Sequence, residues 1–516
     1  MADELENPSG TTEPVRARAV GVEGDQPRGR GSSGPSASGR SEKRGGRRSA
    51  YATRDLTTGS IPRNLWFLAW PATVNGALRT VDQLADLVWA GFFGSLAIAG
   101  MGVAQQYVGM AFTARMGLDV GMRAMVSRAI GMGDTRLAEH VVFQAATITL
   151  GYSLLMVLIG VFLTESLLGL LGVSDAVVAQ GTTYMRILLI GQTVIGFQSL
   201  AGQSLSAAGD TFTPMRAAVV ARVIHLAASP TLMFGLVGMP EMGLAGAALG
   251  TVLSHLVSLV IVLSALFRGS SRLHLRLRDF SFDGATVWRL LKIGGPASIN
   301  GMERTLAQLF MVRLVAPFGD VAVAAFSITR RVENFAQMGS RGLGMASGII
   351  VGQSLGAGKP ERAKETIRWA AMYVTIITAA FSGLLLAFPV GFLTLFTRDP
   401  AFLEVARTWL VIAAVGYVGL ALGQVAQQSF QTAGDTVMVM LITLGTMWGL
   451  ELPLAWYLTR STDVGQFGVA WAMLAAMAAR PVIYVPYYYW GRWLRVRMFD
   501  PPEQARSGEG DGGAAG

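Results

Sequence analysis

The sequence predicts an all-α polytopic membrane protein of twelve transmembrane helices, folded as two six-helix lobes related by a parallel internal repeat. Three observations predict it. Past Asn64 the chain is dominated by apolar runs whose length approaches the ~20 residues that cross a hydrocarbon core. The basic residues between those runs alternate from loop to loop. The second half repeats the motifs of the first at a constant offset.

The apolar runs come first. Of 516 residues, 52% are hydrophobic and only 15% charged, against roughly 25% charged in a soluble globular protein. Runs of this kind must be helical in lipid, where backbone polar groups have no water partner. Their expected cores are 64–92, 99–125, 140–164, 182–207, 213–237, 243–267, 290–316, 322–352, 367–396, 403–432, 437–459 and 465–490. Residues 1–60, rich in Gly, Ser and Arg, read as a disordered basic tail. Arg44, Arg47 and Arg48 in it could meet anionic headgroups. No apolar stretch precedes Trp66, which argues against a cleaved signal peptide. The expected organisation is then an N-lobe at 61–267, a linker at 268–289, a C-lobe at 290–492 and a disordered tail at 493–516.

The loops order the runs across the membrane. Odd-numbered loops such as 92–98, 165–181 and 317–321 carry no Lys or Arg. Even-numbered loops are basic: Arg128 and Arg136 lie in or beside the second, Arg268, Arg272, Arg276 and Arg278 in the sixth, and Lys359, Arg362 and Lys364 in the eighth. The positive-inside rule places the even loops and both termini in the cytoplasm of a cell membrane. The net charge of +9 is explained by this asymmetry without invoking nucleic acid.

The repeat pairs WPATVNGALRTVDQ at 70–83 with GPASINGMERTLAQ at 295–308. Pro71 matches Pro296, an offset of 225, and the same offset links Asn75 to Asn300, Gly117 to Gly342, Gly131 to Gly356, and Ala208-Gly209-Asp210-Thr211 to Ala433-Gly434-Asp435-Thr436. Six spans per copy is an even number, so both copies enter the bilayer in one orientation and are related by an axis along its normal. In such folds the substrate lies near mid-bilayer between the halves.

Several chemistries are excluded. There is no cysteine, hence no disulfide or thiolate site. The four histidines form no HExxH pair and no GxxxxGK[ST] loop occurs. We expect no enzyme activity, no cofactor and no bound metal other than possible sodium.

Ionisable residues at membrane depth are costly and mark function. In the first span Asn75, Arg79, Asp82 and Asp86 share one helical face. A carboxylate in a poorly hydrated cavity can exchange a proton or bind a hard cation. An Arg79–Asp82 ion pair is the structural alternative for Asp82. Arg115, Asp119 and Arg123 form an i, i+4, i+8 ladder that neutralises itself. His225 and Ser229, one turn apart on the fifth span, are placed to face Asp86, and imidazole is the side chain that changes charge most readily near neutrality. Glu303 is the first buried acid of the second half, with Arg304 beside it.

These residues resemble the MATE (multidrug and toxic compound extrusion) pattern across nearly all of 62–490. The resemblance rests on Pro71, Asp86-Leu-Val-Trp-Ala-Gly91, Gly94, Gly117, Gly121, Gly131-x-Gly133-Asp134 and Ala208-Gly209-Asp210-Thr211 with Pro214, and on the second copy at Val351-Gly352-Gln353 and Gly356-Ala-Gly358. It implies an antiporter that exports organic cations or amphipathic compounds in exchange for protons or sodium through two lobes in a V. It implies the bilayer, a small-molecule substrate and a proton or sodium ion as partners, and a monomer. Asp86 matches the family's first-span cation-binding Asp and Thr251 its sixth-span Thr. His225 and Ser229 stand where the family often has Asn and Asp, a departure that favours protons over sodium. The expected coupling set is thus Asp86, Asp82, His225, Ser229 and Thr251. The expected substrate cleft is Asn75, Arg79, Asn300, Glu303 and Arg304. A lipid-linked saccharide flippase of the same superfamily, which needs a more cationic cavity, is the alternative transporter; a membrane scaffold without transport is the alternative outside that class.

Overall fold

Each apolar run becomes a helix, because a chain in lipid must satisfy its backbone within the segment. The computed structural model describes residues 54–499 except 171, 270 and 395–397. Among the described residues the long helices are α1 (Ile61–Gly91), α2 (Ser95–Gly131), α3 (Thr135–Phe162), α4 (Asp175–Ala207), α5 (Phe212–Met233), α6 (Leu244–Phe267), α7 (Gly284–Val315), α8 (Asp320–Gly356), α9 (Pro360–Ala387), α10 (Pro400–Thr432), α11 (Thr436–Ser461) and α12 (Phe467–Trp490). α11 is interrupted by a π-helical turn at Gly445–Glu451. Six of them (α3, α6, α9, α10, α11 and α12) are long and apolar enough to cross a bilayer on composition alone. α1, α2, α7 and α8, by contrast, carry buried charges on the faces they turn inward.

The repeat is visible in the turns. The aspartate of each AGDT motif caps the helix that follows: Asp210 accepts from the Thr213 amide at 3.0 Å, and Asp435 from the Met438 amide at 3.4 Å. The glycine before each aspartate has a left-handed backbone, φ 102° at Gly209 and 100° at Gly434, a conformation that a side chain disfavours.

It is also visible in how the copies meet. α2 packs on α7 as α8 packs on α1. Gly117 lies against Gly294 and Ser298; its counterpart Gly342 lies against Ala69 and Thr73, the positions matching Gly294 and Ser298. Gly131 and Gly356 close the contact at the basic face, each against the other copy's helix end. Small residues permit this close backbone approach. Hydrogen bonds span the same seam. Gln353 Nε2 donates to the Ala207 carbonyl at 2.9 Å, Ser298 Oγ to the Ala114 carbonyl at 2.6 Å, and Arg123 Nη2 to Gln428 Oε1 at 2.8 Å. Arg123 thus leaves the expected ladder, which reduces to the pair Arg115–Asp119.

Two stretches expected to be disordered are packed where they are described. Leu56 is fully buried, and Arg362 donates to the carbonyls of Leu56, Thr58 and Gly59, with Lys359 donating to Thr57. At the other end Trp493 is fully buried, and Met498 joins the hydrophobic cluster of α2, α3 and α4 while Arg128 donates to the Val496 carbonyl. Isolated apolar residues in polar tails, Leu56, Trp493 and Met498, anchor these segments on the basic face. Arg44, Arg47 and Arg48 lie outside the described residues. The linker 268–289 is shorter than expected, since α7 begins at Gly284, capped by Asp283 through the Ala285 amide at 2.9 Å.

Candidate functional site

Helical periodicity puts Asp82 and Asp86 one turn apart on α1, facing α5 and α6. Both are 7% exposed. His225 on α5 is 1% exposed and stands between them: Nδ1 is 3.3 Å from Asp82 Oδ1 and Nε2 is 3.2 Å from Asp86 Oδ1. Thr251 on α6 meets the same Nε2 at 3.2 Å, its hydroxyl also donating to the Ala247 carbonyl at 3.0 Å. Arg222, one turn before His225, forms an ion pair with Asp82. Four expected residues, Asp82, Asp86, His225 and Thr251, are therefore brought together.

Ser229 is not. It is fully buried, its hydroxyl directed at Met233 Sδ at 3.7 Å, with Gly250 of α6 packed on its backbone. One turn along α5 from His225 keeps the same face, but α6 crosses there and closes that face to α1. Asp82 pairs with Arg222; the side chain of Arg79, the partner in the structural alternative, lies outside the described residues.

Above the cluster opens a cavity of about 780 Å³ walled by α1, α2, α4, α5 and α6, within the range of drug-sized pockets. Asp82, Asp86, Arg222 and Thr251 form one end of it, and Asn75 lines it. The α4 wall presents Gln192, Ser199, Gln203 and Ser206 at i, i+7, i+11 and i+14; α6 adds His255 and Ser258. These residues escaped the sequence reading. The signal was a polar stripe at helical spacing in an otherwise apolar span.

The remaining expected cleft residues that are described, Asn300, Glu303 and Arg304, do not line this cavity. Glu303 is 5% exposed and accepts from Trp448 Nε1 at 2.7 Å. Arg304 reaches Glu333 at 3.6 Å and Gln337 at 3.4 Å. It lines a separate small pocket in the second copy, with room for about one water, shared with Arg330, Arg480 and Glu451. Asn300 is buried, 5% exposed, and lines neither pocket. In the repeat register Ala307 and Met311 occupy the places of Asp82 and Asp86, so the second copy has the fold of the site without its acids.

Comparison with known proteins fits a twofold repeat. The MatE family model matches this chain twice, over residues 71–231 and 296–457. The chain belongs to the MatE family. This MatE protein is 26% identical over 450 residues to the probable multidrug resistance protein YoeA of Bacillus subtilis, covering 86% of this chain and 97% of that one. It is 24% identical over 400 residues to the FAD transporter of Shewanella oneidensis, covering 78% and 88%. Among solved structures, a MATE in the bent conformation superposes with TM-score 0.79 at 22% identity, over 85% of this chain and 96% of that one. An outward-facing multidrug resistance MATE transporter of the MOP superfamily gives 0.78 at 22% identity, over 85% and 96%. The MatE chain is thus a multi-pass membrane transporter and not an enzyme.

Proposed function

We propose that this transporter is a proton-coupled antiporter that exports a small organic molecule from the 780 Å³ cavity. The observation that carries the reading is His225 held between Asp82 and Asp86. A neutral imidazole has one N–H donor and an imidazolium has two. With neutral His225, the two carboxylates and Arg222 leave one negative charge among the described side chains of the cluster. One proton, on His225 or on Asp86, neutralises it and supplies the missing donor. The groups exchange that proton as a unit.

Sodium is disfavoured at this site. A hard cation asks for a shell of oxygens, and here the carboxylates face an imidazole and a guanidinium. The flippase alternative loses support as well. Arg222 is paired with Asp82, and Arg304 lies outside the large cavity, paired with Glu333, so the described wall of that cavity carries no excess of the positive charge that pyrophosphate requires. The basic even loops favour a cell-membrane orientation with both termini cytoplasmic. In that orientation the seam at Gly131 and Gly356 is the inner gate, closed here, and the two lobes 61–267 and 290–492 rock about it.

The test is export of fluorescent ethidium or riboflavin from proteoliposomes under an imposed pH or sodium gradient. Asp86→Asn is expected to reduce pH-driven movement to the protein-free background while still eluting as folded protein. Undiminished transport by Asp86→Asn, or strict sodium dependence of the parent, overturns the proposal.

A further inference from the structure

The acids in this cavity lie beside basic side chains, Arg222 at Asp82 and His225 at both Asp82 and Asp86. Resting on the antiport reading above, we propose that the cavity of the first copy binds an uncharged, hydrogen-bond-rich organic molecule, not an organic cation. Asp82 is in an ion pair with Arg222, and His225 stands within 3.3 Å of Asp82 Oδ1 and 3.2 Å of Asp86 Oδ1, although neither of those two oxygens accepts a hydrogen bond. Once the coupling proton is on the cluster, its described side chains carry no net negative charge to hold a cationic guest. Lipophilic cations are otherwise held by aromatic faces, but among the described residues the aromatic side chains of the cavity wall are Phe112 and Tyr184, and the Tyr184 hydroxyl is within 3.4 Å of Gln105 Nε2.

What the wall supplies instead is neutral amide. Gln105 and Gln106 of α2 face the cavity, with Gln192 and Gln203 of α4. Each primary amide offers two donors and a carbonyl acceptor. Gln192 is 1% exposed and its Oε1 has no hydrogen-bond donor; Gln203 Oε1 likewise has none. A buried carbonyl without a donor is costly, and a guest with N–H or O–H groups supplies one. Gln198 differs, being already tied to Ser258 Oγ at 3.2 Å and His255 Nδ1 at 3.3 Å. The two glutamines with unused acceptors are therefore the residues assigned to recognition. A site built to hydrogen-bond its guest discriminates strongly against one that lacks the matching groups, which makes this cavity selective for a polar heterocycle over a lipophilic one.

The experiment titrates the full chain in lipid nanodiscs with riboflavin, an uncharged fluorescent heterocycle edged with donors and acceptors, and separately with tetraphenylphosphonium. Riboflavin is expected to bind saturably, and Gln192→Leu with Gln203→Leu to weaken it at least tenfold. Gln203→Leu alone, at the less buried position, guards against misfolding of the double variant and is expected to weaken binding severalfold. Tetraphenylphosphonium is expected to bind no better than to empty nanodiscs. Absence of saturable riboflavin binding, equal binding by the leucine variants, or saturable tetraphenylphosphonium binding lost in Asp86→Asn overturns the assignment. The two readings fail separately. Riboflavin that binds but is moved by no pH gradient sinks the antiport and supports the guest class; pH-driven export of ethidium does the reverse.

Discussion

A methyl group added at Gly117 is expected to pry the basic face open. The Cβ of Gly117→Ala would run into the Gly294 carbonyl and Ser298 on α7. The next small residue along α2 is nearly as tight: a Cβ at Gly121 would lie 2.9 Å from the Leu290 carbonyl oxygen and 3.2 Å from the Gly294 nitrogen. The obstacles are backbone atoms, which cannot rotate away. Overpacking of this kind costs about 1–3 kcal/mol. The strain falls on a seam between the two copies, so moving them apart relieves it while each copy keeps its own packing. A penalty of about 2 kcal/mol would shift a 99:1 preference for the closed face to about 3:1, at ~1.4 kcal/mol per tenfold. Gly117→Leu should shift it further. The chain has no cysteine, so spin labels at Arg136→Cys and Glu361→Cys report the separation of the two basic-face loops by electron–electron resonance without background. The expected result is a second, longer distance population in Gly117→Ala that dominates in Gly117→Leu. Gly151→Ala is the control, because a Cβ there meets nothing within 4 Å. A Gly117→Leu distribution indistinguishable from that control would refute the reasoning.

Three further outcomes follow from the described contacts. Arg362→Ala removes every guanidinium bond to the carbonyls of Leu56, Thr58 and Gly59; tryptic cleavage at Arg54 should accelerate about 5–30-fold, the effect of one or two kcal/mol on a local opening equilibrium, and an unchanged rate rejects the anchoring role. Trp448→Phe leaves Glu303 Oε2 without its donor and should cost about 1.5–3 kcal/mol, as for hydrogen bonds to charged groups; combined with Glu303→Gln the loss should be less than additive in thermal unfolding, and strict additivity counts against the pair. Asp283→Ala removes the α7 cap and should cost about 1 kcal/mol. Hydrogen bonds led by the Thr286 hydroxyl hold the Asp283 carboxyl down at about 2, below its unfolded value of roughly 3.9, so the cap's contribution is present above that unfolded value and is lost only as pH falls through about 2. The Asp283 carboxyl itself should accordingly add no pH dependence to that cost from pH 5 to 8, and any pH dependence of transport in that range should survive the substitution.

The reach of the sequence follows from which physical terms are local. Span number and the repeat were legible because hydrophobicity and glycine turns act over a few residues: Gly209 and Gly434 read as turns, and both have left-handed backbones. Asp82, Asp86 and His225 were legible because charge in lipid is expensive wherever it sits. Arg222 as the partner of Asp82 was not, since periodicity gives the face of each helix and not the height at which two helices cross. Ser229 failed for the same reason: its face was right, but α6 covers it. Gln192 and Gln203 were missed because an amide in a span costs less than a charge and so stands out less.

The two copies keep the seam in duplicate and the chemistry in one. Gly117 against Ser298 is mirrored by Gly342 against Thr73, so both halves of the gate follow one design. Asp82 and Asp86, however, are answered by Ala307 and Met311. A protonatable cluster on one copy beside a symmetric gate would bias the whole gate from that lobe, provided its two charge states differ in how well α1 packs against α5 and α6. α1 is the element in position to transmit that bias. It carries both acids near one end and, near the other, Ala69 and Thr73 in contact with Gly342 of the opposite copy. A change in charge that shifted α1 against His225 would therefore also shift the α1–α8 half of the seam, and under the proposed antiport it would couple proton occupancy to the face on which the cavity opens.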